Sequence, residues 1–548
     1  MGKKQESNTG FVIQGSILAM ASIIARIIGL VYRVPVTRII GDYGNGLYGY
    51  AFEVYNMVLI ISSYSLPSAM SKLVSARANR GQHKDAYKIF KAGLMFAIVV
   101  GLIASSLTFL MADFISTIIM KDGMIALCLR VLAPTIFVVA VMGVIRGYCQ
   151  GLGTMIPTAI SQILEAIVNA VVSIVAAAYL FSYGTKVGKV LQEEKYAAAY
   201  GAAGSTLGTL ISGIMGLLFM IFVFTMYSTV LKKKLKRDVR SRDESYVQVY
   251  KVLFATIVPI IMSTAVYNCS VFIDQTIFSN VMSARGYTNY TELFGVFTGK
   301  YRLLVNVPVS IASAMAASTM PSITAAVARA DVKMVRQKIN ISNRFIMVIS
   351  IPCFVGLTVL GSPILQLLFG DARKLPANLL MVGSVAVVFY AMSTLSNGIL
   401  QGLNKMNIPV INAFIALIIH IAIVYVLTAY TNLQIYSVVI GNVAFSGIMC
   451  ILNNLAVKRA TGYRYEMRKT FVVPVLSAVI MGAASYGVYI AMMAVSKNND
   501  VSTVIALLVA VIVYGVMMLV LKGFTEEELL SIPKGRTILS IARKLHLM

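Results

Sequence analysis

The stretch QGLGTMIPTAISQILEAIVNAVVSIVAAAYLF, residues 150–181, places a short turn motif directly in front of a long apolar run. Between residues 155 and 182 the run carries a single charged residue, Glu165. A helix needs about 20 apolar residues to cross the hydrocarbon core of a bilayer. The stretch therefore predicts one membrane-spanning helix.

Apolar runs of this length recur along the whole chain, which has 548 residues, of which 58% are hydrophobic and 12% charged. That composition is typical of a protein that lies in lipid. The predicted spans are residues 11–40, 46–70, 92–118, 122–147, 155–182, 197–230, 250–282, 291–328, 342–369, 376–403, 408–430, 432–456, 470–495 and 501–521. The sequence thus predicts an all-α integral membrane protein with fourteen transmembrane helices.

The distribution of the basic residues predicts the orientation of these spans. Loops on the side of the N-terminus, counted together with the adjoining ends of the spans, hold 33 of the 47 Lys and Arg residues, and loops on the opposite side hold 8. Cytoplasmic loops carry such an excess, so both termini are expected in the cytoplasm, and the net charge of +26 does not indicate a nucleic-acid partner. The most basic loop is LKKKLKRDVRSR, Leu231–Arg242.

Two internal matches predict a duplicated fold. Gln150-Gly151-Leu152 recurs as Gln401-Gly402-Leu403, and Leu66-Pro67-Ser68 recurs as Met320-Pro321-Ser322. The two offsets, 251 and 254 residues, are nearly equal, which favours two pseudo-equivalent six-helix lobes around a central substrate site. The expected division is 1–230 for the first lobe, 231–248 for a basic cytoplasmic linker, 249–457 for the second lobe, 458–521 for two extra C-terminal helices and 522–548 for a cytoplasmic tail.

Charged residues inside the spans are the candidate functional residues, because each is costly in lipid. The cations are Arg26, Arg33, Arg38, Arg130, Lys300 and Arg302, and the carboxylates are Glu53, Glu165 and Asp274. The cations outnumber the carboxylates by three, so ion pairs among these residues cannot neutralise the whole set. An anionic substrate would balance the excess.

The depth of the cations favours a pyrophosphate group as that anion. Arg26 and Arg33 are seven residues apart and share one stripe of the first helix. Lys300 and Arg302 lie near the depth of Arg33, whereas Arg38 is close enough to the outer end to reach the interface. A guanidinium group binds two phosphate oxygens with a fixed geometry.

An alternative is purely structural. Arg26 and Arg130 could pair with Glu53 and Asp274, and Glu165 could serve either hydrogen bonding or ion coupling. The five cysteines stand singly, without a CxxC motif or a neighbouring His, so neither a disulfide nor a metal site is expected.

Four segments of the chain are similar to one known superfamily. They are ARIIGLVYRVPVTRIIG (25–41), SLPSAMSKLVSA (65–76), QGLGTMIPTAISQILE (150–165) and GKYRLLVNVPVSIASAMAASTMPSITAA (299–326). The chain resembles the multidrug, oligosaccharidyl-lipid and polysaccharide (MOP) exporter superfamily, in the branch of stage V sporulation protein B and the MurJ-type lipid II flippases.

The resemblance implies a carrier that moves an undecaprenyl-pyrophosphate-linked cell-wall precursor from the inner to the outer leaflet by alternating access. It assigns Arg26, Arg33 and Arg302 to the pyrophosphate, and the two extra helices to a groove for the prenyl tail. The chain departs from another lineage of MurJ-type proteins in having no basic residue between Ile60 and Met70. Coupling to the membrane potential, sodium or protons is left unassigned, because the second lobe offers only Asp274 as a carboxylate.

Three other functions are weighed against this one. A cation-coupled drug exporter of the same fold would need carboxylates in its cavity, and a membrane glycosyltransferase would need a larger outer loop. The favoured cargo is lipid II, and a flippase for a different cargo, such as a capsule, teichoic-type or spore-cortex precursor, is the alternative that the sequence leaves open. The expected partners are the lipid-linked sugar, membrane lipids and cell-wall synthesis proteins, and the expected state is a monomer without a bound cofactor.

Overall fold

The computed structural model describes residues 2–241 and 244–523, and within those ranges it contains helices and no strand. The predicted all-α class is therefore confirmed. Arg242 and nearly all of the predicted tail, 522–548, lie outside the described residues. The chain forms two compact units that meet in sequence at Gly299 and Lys300. This point falls inside the eighth predicted span, so a lobe boundary at 231–248 stays a prediction.

The described residues of the first unit form nine α-helices and two π-helical turns, with a third π turn where the chain passes into the second unit. The α-helices are α1 Gly2–Leu59, α2 Leu66–Ala78, α3 His83–Leu110, α4 Ala112–Phe114, α5 Ile125–Gly151, α6 Ile156–Leu191, α7 Lys195–Lys236, α8 Tyr246–Ala284 and α9 Tyr290–Val296, and the π turns are Ile60–Tyr64, Ile115–Ile119 and Phe297–Tyr301. A capping box begins α8: Ser245 Oγ accepts from the Gln248 backbone N–H, and the Gln248 side chain accepts in return.

In the second unit, residues 302–523 of the described chain form nine α-helices and one π turn. They are α10 Arg302–Ala328, α11 Val332–Val359, α12 Gly361–Phe369, α13 Lys374–Gly383, α14 Ala386–Gly402, α15 Asn407–Tyr430, α16 Ile435–Thr461, the π turn Arg468–Val472, α17 Val473–Ser496 and α18 Asn499–Val520. Helices α13 and α14 are bent by 43° relative to each other. Asn498 caps α18 by accepting from the backbone N–H groups of Asp500 and Val501.

Ten helices of the described chain are long and apolar enough to span a membrane, or eleven when the bent pair α13–α14 counts as one span. The first predicted span falls within α1, the second begins in α1 and continues through the π turn Ile60–Tyr64 into α2, and the seventh falls within α8. Helix α1 is two helices joined by a kink at Gly41, whose φ of 67° lies in the left-handed region that favours glycine. The chain is therefore a multi-pass membrane protein, and the number of fourteen transmembrane helices stays a prediction.

The repeated turn motif has the same structure in both units. In the first unit α5 ends at Gly151 and α6 begins at Ile156; in the second, α14 ends at Gly402 and α15 begins at Asn407. Each glycine packs against the helix that carries the Pro-Ser repeat. A Cβ atom at Gly151 would lie 2.7 Å from Cβ of Val74 in α2, and one at Gly402 would lie 2.8 Å from the Met320 carbonyl oxygen in α10.

Loops of the first unit gather in two groups. The described part of the basic linker contacts the start of α3: the Lys84 backbone N–H donates to Asp238 over 2.7 Å, and Arg77 forms an ion pair of 3.0 Å with Glu244. The second group surrounds Asp122, which accepts from Tyr43 at 3.0 Å and from Thr291 at 2.8 Å.

The group around Asp122 encloses a polar cavity of about 650 Å³. Its walls come from the four segments of the first unit that were predicted to lie between spans on the outer side. The lining residues are Tyr43, Lys121, Asp122, Gly123, Met124, Glu193, Lys195, Tyr196, Ser283, Gly286, Tyr287, Thr288 and Tyr290.

Candidate functional site

Arg33 lies on α1 with an unusual environment for a charged side chain. Its guanidinium carbon stands 4.0 Å from the centre of the Tyr48 ring, a cation–π contact across the Gly41 kink. Its Nη1 atom is buried and has no hydrogen-bond partner among the described residues. A buried guanidinium nitrogen without an acceptor is costly, so this atom is suited to receive an anionic oxygen from a ligand.

Arg26 lies two helical turns before Arg33 on the same helix and is exposed. Among the described residues neither arginine has an ion-pair partner. Polar contacts hold this part of α1 against α6: Ser22 donates to Gln162 over 2.9 Å, and Asn169 donates to the Tyr32 hydroxyl over 3.3 Å. The two arginines are thus carried by a helix with a defined packing partner.

Glu165 forms an ion pair that the sequence analysis missed. Its Oε1 atom contacts Nη2 of Arg146 on α5, and the same guanidinium donates to Ser161 Oγ over 2.6 Å. The exposed fractions of the two side chains are only 12% for Arg146 and 22% for Glu165. Arg146, near the end of the predicted span 122–147, was counted with the cytoplasmic loop that follows, but α5 continues to Gly151, so the residue lies inside the helix. The structure therefore gives Glu165 a local partner in its own unit.

Arg130 pairs with Asp113, which precedes α5 in the chain, over 2.5 Å. Both side chains are exposed, at 43% and 66%. The structural alternative for Arg130, a pair with Glu53 or Asp274, is wrong in this respect. Asp113 lies inside the predicted span 92–118 but was not counted among the carboxylates.

Lys300 is also paired. It lies in the π turn Phe297–Tyr301, and its Nζ atom contacts Asp371 Oδ2 at 2.5 Å, with both side chains buried. Arg373 binds the same carboxylate, with Nη2 at 2.7 Å and Nε at 2.9 Å. Burial alone raises the pKa of Asp371, but hydrogen bonds from Arg373 and Lys300 hold that pKa well below its usual range. The prediction that Lys300 binds a phosphate stays a prediction, since this buried pair would first have to open.

The remaining predicted residues are distributed over both units. Arg302 is half-buried at the first position of α10, Glu53 is half-buried on α1, and Asp274 is buried on α8. Arg130, Lys300 and Glu165 thus have partners that the count of charges left out, namely Asp113, Asp371 and Arg146. Arg26 and Arg33 have no ion-pair partner among the described residues. No group of three or more His, Cys, Asp and Glu side chains suited to a metal occurs in the described part of the chain.

Comparison with known proteins places this arrangement in a family. The family model "Polysaccharide biosynthesis protein" matches residues 12–327, and the model "MatE" matches residues 259–426. The lipid II flippase MurJ of Bacillus subtilis (strain 168) is 26% identical over 487 residues, which cover 85% of this chain and 86% of that protein. Stage V sporulation protein B of the same organism is 23% identical over 531 residues, which cover 95% and 98%.

A solved structure shares the fold. The structure of lipid II flippase MurJ in an inward closed conformation aligns with a TM-score of 0.66 at 15% identity, and it covers 91% of this chain and 97% of that one. The chain is therefore a membrane transporter and not an enzyme. It belongs to the polysaccharide biosynthesis protein family, within the MurJ and stage V sporulation protein B branch of the MOP exporter superfamily.

Proposed function

We propose that this protein is a flippase that moves an undecaprenyl-pyrophosphate-linked cell-wall precursor, lipid II in the first instance, from the inner to the outer leaflet by alternating access. The observation that carries the proposal is Arg33, whose buried Nη1 atom lacks an acceptor among the described residues. A pyrophosphate oxygen would supply that acceptor together with the charge. The similarity to a lipid II flippase over 85% of the chain supports the same cargo class.

The proposed substrate contacts are Arg26, Arg33 and Arg302. Arg26 stands two turns from Arg33 on one helix, so both guanidinium groups can meet the two phosphates of one pyrophosphate. Arg302 is included because the sequence motif that surrounds it resembles that of the superfamily. Arg146 and Glu165 neutralise each other, and we assign that pair to the packing of the first unit.

The experiment is complementation of a bacterial strain depleted of its essential lipid II flippase. The readout is labelled lipid II that becomes accessible in the outer leaflet. The wild-type chain should restore both growth and labelling. Two outcomes at normal membrane abundance would contradict lipid II as the cargo. The chain could restore growth without labelled lipid II in the outer leaflet, or it could restore neither growth nor labelling.

A second cargo has a specific observation in its favour. The similarity to stage V sporulation protein B extends over 98% of that protein, more than the 86% of the lipid II flippase. We therefore keep a spore-cortex precursor as the alternative. The spore-cortex precursor would be the cargo if the chain rescued a strain that lacks stage V sporulation protein B and failed in the lipid II assay.

A further inference from the structure

A second polar cavity lies in the other unit, where α11 begins and where α16 is joined to α17. Its volume is about 550 Å³, and it has no part in the site proposed above. The lining residues are Arg336, Gln337, Asn340, Gly462, Tyr463, Arg464, Tyr465 and Glu466.

The cavity is rich in hydrogen-bond donors that are not used by the described protein. Arg336 donates from Nε to the Thr461 carbonyl oxygen over 2.7 Å, which fixes its guanidinium group and leaves both terminal nitrogens without a partner in residues 2–241 and 244–523. Arg464 is exposed and forms no ion pair within those ranges. The Asn340 Oδ1 atom accepts from Tyr463 over 2.9 Å, so its amide nitrogen remains available as a donor.

The single carboxylate of the cavity does not compensate these cations. Glu466 lies 3.5 Å from Lys469 and 4.0 Å from Arg344, so its charge is already balanced. Burial raises the pKa of Tyr463 to about 12, and its hydroxyl therefore stays protonated at neutral pH. The cavity thus offers two guanidinium groups and several neutral donors, and it has no free carboxylate. Such a set of donors is suited to an anion with several oxygen atoms, such as a phosphate.

The backbone at the rim of the cavity is adapted to Arg336. Gly462 has φ +64°, and a Cβ atom there would lie only 2.6 Å from Nη2 of Arg336. Any other residue would be strained in this conformation and would also displace the guanidinium group. The glycine thus keeps one of the two cations in place.

An apolar stripe begins directly beyond the cavity. Val472, Val475, Leu476, Val479 and Ile480 are all between 41% and 55% exposed, and their spacing puts them on one face of the helix. Six residues separate Glu466 from Val472, which is roughly 9 Å along a helix. A molecule with a phosphate in the cavity could therefore lay a hydrocarbon chain along this face.

We infer that the cavity binds the phosphate headgroup of an anionic membrane lipid, whose acyl chain lies along the exposed stripe of α17. The loop that forms the cavity is strongly basic, with Lys458, Arg459, Arg464, Arg468 and Lys469 within twelve residues. Basic pockets at the membrane face attract anionic headgroups in this way. Bound lipid would stabilise the junction between α16 and α17.

The test uses the purified full-length protein in a neutral detergent, titrated with phosphatidylglycerol, phosphatidylcholine or inorganic phosphate. The thermal unfolding midpoint is measured for the wild type, Arg336→Gln, Arg464→Gln and the double variant. Phosphatidylglycerol should raise the midpoint of the wild type, and its apparent affinity should fall by about tenfold or more for each lost arginine. Phosphatidylcholine and inorganic phosphate should have little effect.

Arg459→Gln is the matched control, because it removes one charge from the same loop without altering the lining of the cavity. Its response to phosphatidylglycerol should equal that of the wild type. Arg464→Gln keeps the test informative if the Arg336 variant is unstable, since Arg464 is exposed and supports no other side chain in the described structure. An undiminished response of Arg464→Gln and the double variant would refute the site. Equal stabilisation by inorganic phosphate would refute the lipid as its occupant.

Discussion

Arg146 on α5 and Glu165 on α6 form an ion pair inside the first unit, with Ser161 as a second acceptor for the same guanidinium group. Both helices belong to the lobe that carries Arg26 and Arg33. The pair neutralises the one carboxylate of α6, so Glu165 does not offset the arginines of α1. The cationic character of α1 thus depends on a contact between two other helices.

Loss of either partner of this pair should destabilise the protein. Arg146→Leu or Glu165→Leu leaves one charge unpaired in a largely buried position, which costs about 3–5 kcal/mol. The double variant should be much less destabilised than the two single changes added together. Thermal unfolding in detergent gives all three values. Additive effects would show that the two residues do not interact in the folded protein.

Gly216 should be intolerant of a side chain for the same reason. A Cβ atom at this position of α7 would lie 2.7 Å from Cδ of Glu165, so Gly216→Ala forces the carboxylate away from Arg146. We expect a loss of roughly 1–3 kcal/mol in stability, as for other overpacked sites. Gly213→Ala is the control, because the nearest atom to its Cβ would be Val138 at an ordinary 3.5 Å. Equal stability of the two variants would argue against the close packing of α7 on Glu165.

Substitutions of Arg33 should distinguish the effect of its positive charge on transport from the effect of its planar guanidinium geometry. Arg33→Ala should abolish complementation while membrane abundance stays near wild type, because a lost charge-assisted contact reduces affinity by about tenfold to a hundredfold. Arg33→Lys should recover only part of the activity, since an ammonium group cannot bind two oxygens with a fixed fork. Arg26→Ala and Arg302→Ala should behave like Arg33→Ala, and Arg130→Ala is the control because its charge is already paired with Asp113.

A double variant of Arg26 and Glu53 tests whether Arg26 binds the substrate or only neutralises Glu53. If Arg26 only neutralises Glu53, then a variant with both residues changed to Ala should be active. We expect the double variant to remain inactive, measured by growth and by labelled lipid II. Full activity would remove Arg26 from the proposed site and leave Arg33 and Arg302.

The orientation of the chain can be tested by labelling single cysteines from outside the cell, in a background without the five native cysteines. Lys186→Cys and Lys497→Cys should react with an impermeant reagent, and Lys234→Cys should not. The reason is the excess of basic residues on the side of the basic linker. External labelling at position 234 would reverse the orientation and the direction of the proposed transport.

The linker contact through Asp238 should depend on pH. Burial by itself raises the pKa of Asp238, but hydrogen bonds from Ser241 Oγ and from the backbone N–H groups of Lys84, Arg240 and Ser241 hold that pKa well below its usual range. The contribution to stability is therefore complete above the unfolded pKa of about 3.9 and is lost as the pH falls toward the lower folded value.

Asp238→Asn should consequently release the linker at neutral pH, seen as faster trypsin cleavage in the segment 232–240. The difference in linker release between Asp238→Asn and the wild type should stay constant between about pH 7 and 5 and shrink below about pH 4. Hydrogen exchange can measure this difference at the low pH where trypsin is inactive. Asp331→Asn is the control, because Asn caps a helix about as well as Asp. Equal cleavage of Asp238→Asn and the wild type would show that Asp238 does not fix the linker.

The sequence by itself determined the membrane class, the family and the approximate positions of several turns between helices. Apolar length is a local property, and the turn motif at Gly151 and at Gly402 is read from neighbouring residues, so neither requires knowledge of the packing. The two arginines of α1 were found in the same way, because residues seven apart share a face of any straight helix.

Only the tertiary structure decided which charges are paired. Glu165 contacts Arg146 and Lys300 contacts Asp371, 71 residues away. A count of charges gives the balance of a segment but no partners, because pairing depends on how each helix is rotated, and each residue turns the helix by about 100°. Arg146 was counted with the loop that follows its span, and Asp113 was left out of the count although it lies inside the predicted span 92–118. Packing between helices, which no local pattern records, fixed the partners of both.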